Sequence, residues 1–225
     1  MKFLILAVCA LFLGSDIAYA KVANDRVQRG LTLAKQVYNA DNPVQARSAL
    51  TVEEQKLVDG VTQPAALKVH FQLIGGPKNL DAKNLVAYIN GAENRNAENR
   101  GTENLIAAYT GCWALNQTDE HTARFGNTLF TYWQTTKVCA INGRVSSVAV
   151  TYADGETNTP GWRIEKPPEK SAKSVGWEGR GLAKFFFVFG TNGFDLQHSS
   201  PCIQQRLNAN GHDHQSMRTC NLDAR

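Results

Sequence analysis

Four cysteines do most to limit what this chain can fold into. The sequence opens MKFLILAVCALFLGSDIAYAKV, with Lys2, an apolar run from Phe3 to Leu13, a polar break at Ser15 and Asp16, then Ala18-Tyr19-Ala20. This is the charged, apolar and small-x-small order of an export signal, and it predicts cleavage after Ala20. A spanning helix needs about 20 apolar residues, so residues 1–20 read as a signal peptide and no membrane span is expected. Cys9 leaves with the leader, and Cys112, Cys139, Cys202 and Cys220 remain. An even count in an exported chain points to disulfides, with three possible pairings. Local pairing, Cys112 with Cys139 and Cys202 with Cys220, is the simplest. It closes loops of about 28 and 19 residues, each worth roughly 3–4 kcal/mol through loss of unfolded-chain entropy. Structural zinc sites bring cysteines in pairs such as C-x2-C, a spacing absent here, and no odd cysteine is left to act as a nucleophile.

Most of the chain reads as strand. ALKVHFQLI alternates, placing Leu67, Val69, Phe71 and Leu73 on one face and Lys68, His70 and Gln72 on the other, the pattern of a half-buried strand. LIAAYTGCWAL, NTLFTYWQTTKVCAI, RVSSVAVTY, GWRIEK, LAKFFFVFG and CIQQRL are rich in β-branched and aromatic residues. Asn142-Gly143 is a strong two-residue hairpin signal; Asp154-Gly155, Asn192-Gly193 and Asn210-Gly211 read as later turns or loops. Phe185 to Phe189, FFFVF, is a continuous apolar run and predicts a central strand buried on both faces. Seven or so short strands broken this often predict a disulfide-tied antiparallel β-sandwich, or an open barrel, over residues 64–225.

Residues 21–63 read as a helical segment of two helices. Val27, Leu31, Ala34 and Val37 recur at helical steps, and NADNP, from Asn39 to Pro43, ends the first helix. Thr51 with Glu54 three residues on forms a capping box for the second. The pair either packs on the β domain or extends from it. Residues 90–104 repeat Glu-Asn every five residues, a period matching neither strand nor helix, and read as a polar loop.

Cys112-Trp113, Phe125-Gly126, Tyr132-Trp133, Cys139 with Asn142-Gly143-Arg144-Val145, Gly161-Trp162 and a late Phe-rich strand together resemble small secreted disulfide-containing β-domain proteins, found mainly in actinobacteria, whose function is uncharacterised. The resemblance covers the C-terminal half and implies a disulfide-tied β domain with no assigned catalytic residue. The Glu-Asn repeat and the histidines near the end depart from it.

Function is less legible than fold. The net charge of +4 comes from scattered residues, without the basic stripe a nucleic-acid surface needs. No P-loop, H-E-x-x-H, G-x-S-x-G or dinucleotide fingerprint occurs. Trp113 and Trp133 read as core, with Trp113 covering the neighbouring disulfide. Trp162 and Trp177 flank the polar stretch EKPPEKSAKSVG, read as a loop, and are the candidate binding residues, because exposed indoles beside amide side chains suit stacking on sugars. His212 and His214 lie two apart, facing one side if extended, and with His198 form the candidate metal-ligand set. No cofactor is expected. Asn116 heads an N-glycosylation acceptor, NQT, relevant to a eukaryotic source. The leading expectation is a secreted, extracellular, non-catalytic protein that binds carbohydrate or a cell-envelope polymer. An extracellular hydrolase, metal-assisted through the histidines, and a structural matrix component are the alternatives.

Overall fold

A computed structural model of the chain describes residues 24–76, 109–191, 194–211 and 213–224. The leader, the Glu-Asn repeat, Asn192-Gly193 and His212 lie outside the described residues. Among the described residues three helices come first: α1 over residues 24–38, α2 at Pro43–Ser48 and α3 at Val52–Thr62. The sequence predicts two. The stretch expected only to stop α1 also starts the extra helix, because Asn42 caps it by accepting from Gln45 N and Pro43 sits at its first turn, where a missing N–H costs nothing. The capping box of α3 is present in both directions between Thr51 and Glu54.

Among the described residues nine strands follow: β1 Pro64–Gly75, β2 Gly111–Ala123, β3 Thr128–Ile141, β4 Arg144–Thr157, β5 Trp162–Ser174, β6 Glu178–Thr191, β7 Phe194–Ser199, β8 Cys202–Asn208 and β9 His214–Met217. They form two antiparallel sheets, not a closed barrel. One has the order β1-β2-β3-β4. The other has the order β5-β6-β8-β9, with β7 also paired to β6. Asn142 and Gly143 form the two-residue turn between β3 and β4 with φ of 50° and 72°, the double positive φ that a tight hairpin of this hand requires. The run from Phe185 to Phe189 is buried throughout and lies in β6, with strands on both sides.

Two readings of polar segments need correction. Asp154-Gly155, expected as a turn, lies inside β4, where Gly155 pairs with Tyr132. EKPPEKSAKSVG, expected as a loop, is mostly strand β5. Prolines and lysines are tolerated there because β5 is an edge strand, whose outward N–H groups have no partner to lose.

Both disulfides pair locally, Cys112 with Cys139 and Cys202 with Cys220. Cys112 and Cys139 are directly opposite in the β2–β3 ladder. Side chains alternate across a strand, so Trp113 points to the other face and does not cover this bridge. It is buried among Leu115, Val138 and Leu207. Trp133, expected in the core, is half-buried on the outer face of its sheet.

The helices are docked, not extended. Ala34, Val37, Val58 and Val61 share one core cluster with Phe130, Tyr132, Trp162, Phe185 and Phe187. The end of α3 leaves carbonyls without helical partners, and the sandwich supplies donors: Phe125 N to Gly60 O (3.0 Å), Asn127 Nδ2 to Val61 O (2.8 Å) and Trp162 Nε1 to Thr62 O (2.9 Å).

This cluster and the smaller one around Trp113 are separated by a polar belt between the sheets. Gln117, Asp119, Gln134, Thr136 and Gln205 are all fully buried. Gln134 Nε2 shares its two N–H groups among three acceptors, Thr136 Oγ1 (2.7 Å), Gly181 O (3.1 Å) and Gln205 Oε1 (3.2 Å), while Gln205 Nε2 reaches back to Gln134 O (3.4 Å). Gly181 permits this approach, since a Cβ there would lie 2.3 Å from Thr136 Oγ1. Gly181→Ala is therefore expected to destabilise the fold by roughly 1–3 kcal/mol, the usual cost of overpacking. Equilibrium urea unfolding measures it, and an unchanged midpoint would mean that the belt yields freely.

Candidate functional site

Trp177 is the most exposed of the four tryptophans. It sits in the turn joining β5 to β6 and is 57% exposed. The backbone of that turn is held from three sides. Val145 N donates to Gly176 O (2.7 Å), Ala209 N to Trp177 O (2.7 Å), and Val175 N to Glu178 O (2.9 Å). Gly176, at φ 87°, takes the left-handed conformation that lets the turn close. The indole is thus exposed from a fixed backbone.

Beside the ring lies a groove of about 190 Å³ lined by Trp177, Glu178, Arg206, Asn208 and the stretch Asp213-His214-Gln215. Register explains the grouping: Asn208 pairs with Glu178, and Arg206 with both Arg180 and Gln215, so strand alternation puts these side chains on one outer face. Glu178 Oε1 accepts from Arg180 Nε (2.6 Å). Asp213 Oδ2 accepts from Asn210 Nδ2 (2.7 Å).

The C-terminal segment completes this face. Cys220 is tied to Cys202 on β8. Beyond it Leu222 O accepts from Arg180 Nη1 (2.6 Å) and Gln204 Nε2 (3.2 Å), and Ala224 O accepts from Arg206 Nη2. The guanidinium at the groove is therefore oriented by a strap that a disulfide anchors.

The other sequence candidates are scattered. Trp162 is 4% exposed, packed on Phe130 and Phe189 and bonded to α3; it is a core residue joining helix to sandwich and not a surface stacking ring. His198 is exposed on β7, with Nδ1 3.4 Å from Glu165 Oε2. His214 faces inward, its ring 6.4 Å from Trp113 and 6.3 Å from Phe71. His198 lies opposite Val188, and His214 opposite Leu207, which faces Gly179. Nine residues of β6 separate those two positions, roughly 30 Å at the rise of a strand. His198 and His214 are therefore not brought together, His212 lies outside the described residues, and among the described residues no group of three His, Cys, Asp or Glu is placed to hold a metal ion. Asn116 lies in mid-strand, accepting from Thr135 Oγ1 (3.3 Å) between two paired neighbours.

A second cluster of chemistry-bearing residues, not singled out in the sequence, lies at the β9 end of the belt. Asp119 is fully buried. Its Oδ1 accepts from Gln117 Nε2 (2.6 Å), and its Oδ2 accepts from the Tyr132 hydroxyl (3.4 Å) and lies 3.6 Å from Arg218 Nε. Arg218 is itself 52% exposed and reaches in from the surface. The Tyr132 hydroxyl is 3.1 Å from His121 Nε2. Burial raises the Asp119 carboxyl above its ordinary range, against the pull of Gln117 and Arg218. Burial, helped by the Arg218 charge, pushes His121 down to about 4. The signal for this cluster was the alternation Gln117-x-Asp119-x-His121 on the inward face of a strand. No family model, no curated protein and no solved structure matches the chain.

The depressed histidine makes a signed prediction. Unfolded, His121 titrates near 6.5; folded, it stays neutral to about 4. As pH falls through that window the unfolded chain gains a proton that the folded chain lacks, and stability falls by up to about 3 kcal/mol. The raised Asp119 opposes this, because its protonation favours the folded state. Urea unfolding at neutral and mildly acidic pH should show a smaller acid loss in His121→Phe, whose ring retains the stack on Phe130. Equal losses in both proteins would show that burial does not hold this imidazole neutral.

Proposed function

We propose that the protein is an exported, non-catalytic carbohydrate-binding protein that takes sugar units of a polymer in the groove beside Trp177. The observation that carries this reading is an indole 57% exposed on a backbone-pinned turn, beside a groove of amide, carboxylate and guanidinium side chains. An exposed aromatic face offers large contact area at low conformational cost, and the apolar face of a sugar ring is its natural partner. Asn208, Gln215, Glu178 and Arg206 supply donors and acceptors for the ring hydroxyls. The groove is smaller than the roughly 300–1,000 Å³ of enclosed small-molecule sites, which suits one segment of a chain running across the surface. Two disulfides fit an oxidising compartment, and no helix among the described residues is long and apolar enough to cross a membrane.

Tryptophan fluorescence tests this reading directly, because Trp113 and Trp162 are buried, Trp133 is half-buried on the other sheet, and Trp177 is the most exposed of the four. A panel of soluble polysaccharides should contain at least one that shifts the emission to the blue. Trp177→Ala should weaken that binding about 30-fold or more, as expected for an aromatic anchor worth roughly 2 kcal/mol, with the unfolding midpoint unchanged. A panel without any shift, or a Trp177→Ala protein that binds as well as the parent, would overturn it.

A further inference from the structure

Where the helices meet the end of the sandwich, a groove of about 480 Å³ runs between α1, α3 and the turn after β2. That is within the size range of small-molecule sites. Two glycines let its walls come together. At Gly30 of α1 a Cβ would lie 2.8 Å from Leu57 O, and at Gly60 of α3 a Cβ would lie 2.4 Å from the Phe125 ring. Arg26 stands one turn before Gly30, on the face that α1 turns toward α3. Glu53, Lys56, Leu57 and Gly60 recur at three- and four-residue steps and form one stripe of α3. Arg124 precedes Phe125, whose N–H holds Gly60 O.

The groove has an apolar floor, the half-buried Leu57 and Phe125, and a charged rim. Its two carboxylates are already engaged. Glu53 Oε1 accepts from Lys56 Nζ (2.9 Å), and Asp59 Oδ1 accepts from Arg47 Nη2 (2.5 Å). Arg26 and Arg124 differ: both are exposed, and among the described residues neither guanidinium has an ion-pair or hydrogen-bond partner. Two unpaired cations lining one groove repel each other, and an anion held by both removes that repulsion. A guanidinium presents a planar fork of donors that fits the oxygens of a phosphate. A phosphate monoester carries close to two negative charges at neutral pH, one for each arginine, and its organic part can cover the apolar floor.

We infer that this groove is a second binding site, for a small organic phosphate, with Arg26 and Arg124 on the phosphate oxygens and the organic group on Leu57 and Phe125. The site is built from other elements than the carbohydrate groove and stands or falls without it.

Isothermal titration of the full disulfide-bonded protein at low salt with phenyl phosphate, inorganic phosphate and benzoate tests the assignment. Phenyl phosphate should bind about tenfold more tightly than either, since inorganic phosphate lacks the ring and benzoate lacks the second charge. Arg26→Gln and Arg124→Gln, at exposed positions, should each weaken phenyl phosphate about tenfold, the loss of one charge-assisted contact, and leave the unfolding midpoint unaltered. Lys170→Gln removes the same charge from an exposed position on β5, outside the groove; it and Trp177→Ala should leave binding unaltered. Phenyl phosphate bound no more tightly than inorganic phosphate or benzoate, or not bound at all, would overturn the proposal. So would affinity insensitive to the two arginine changes, or an equal loss in Lys170→Gln or Trp177→Ala.

Discussion

The two sheets of this protein are held in register by hydrogen bonds that only one alignment satisfies. An apolar sandwich core is non-directional, and one sheet can slide over the other at modest cost. Gln134 cannot slide. Its amide reaches the backbone of β6 and a glutamine of β8 from the opposite sheet, in a space that exists because residue 181 is glycine. Displacement would leave several buried polar groups unpaired at about 1–3 kcal/mol each. The large cluster around Phe130, Phe185 and Phe187 and the small cluster around Trp113 then sit at fixed heights on either side.

The same alignment carries outward to the candidate groove. Because β8 is fixed by Gln205 on its inner face, Arg206 and Asn208 are fixed on its outer face, level with Glu178 of β6. Gln204 Nε2 and Arg206 Nη2, on buried side chains of that face, donate to carbonyls of the C-terminal strap, which Cys202–Cys220 holds down. The groove beside Trp177 is thus built from three segments distant in sequence: the β5–β6 turn, the end of β8 and the strand after it. Rigid backbone beneath an exposed ring reduces the entropy lost on binding.

Local signals were read correctly where the local backbone decides the outcome. The capping box at Thr51, the hairpin at Asn142-Gly143, the alternation of β1 and the buried Phe run all depend on a few neighbouring residues. The misreadings share a cause. Asp154-Gly155 and Pro167-Pro168 resemble turn sequences, yet one is flattened into β4 to clear Phe187 and the other is absorbed as a bulge in an edge strand. Trp162 and Trp177 bracket one segment symmetrically in sequence. Only packing against α3 distinguishes them, burying the first and leaving the second in water.

By itself the sequence determined a β-rich chain with a capped helical preface and four cysteines fit for two disulfides, because those follow from periodicity, turn chemistry and the count of cysteines; which of three pairings forms was decided by the fold. It also named Trp177 as one of two candidates. The tertiary structure alone decided which tryptophan faces solvent, that His198 and His214 lie at opposite ends of β6, and that Asp119, His121, Tyr132 and Arg218 converge. Those are contacts between strands far apart along the chain. Which residues meet there is set by sheet order and register, to which no short stretch of sequence is sensitive.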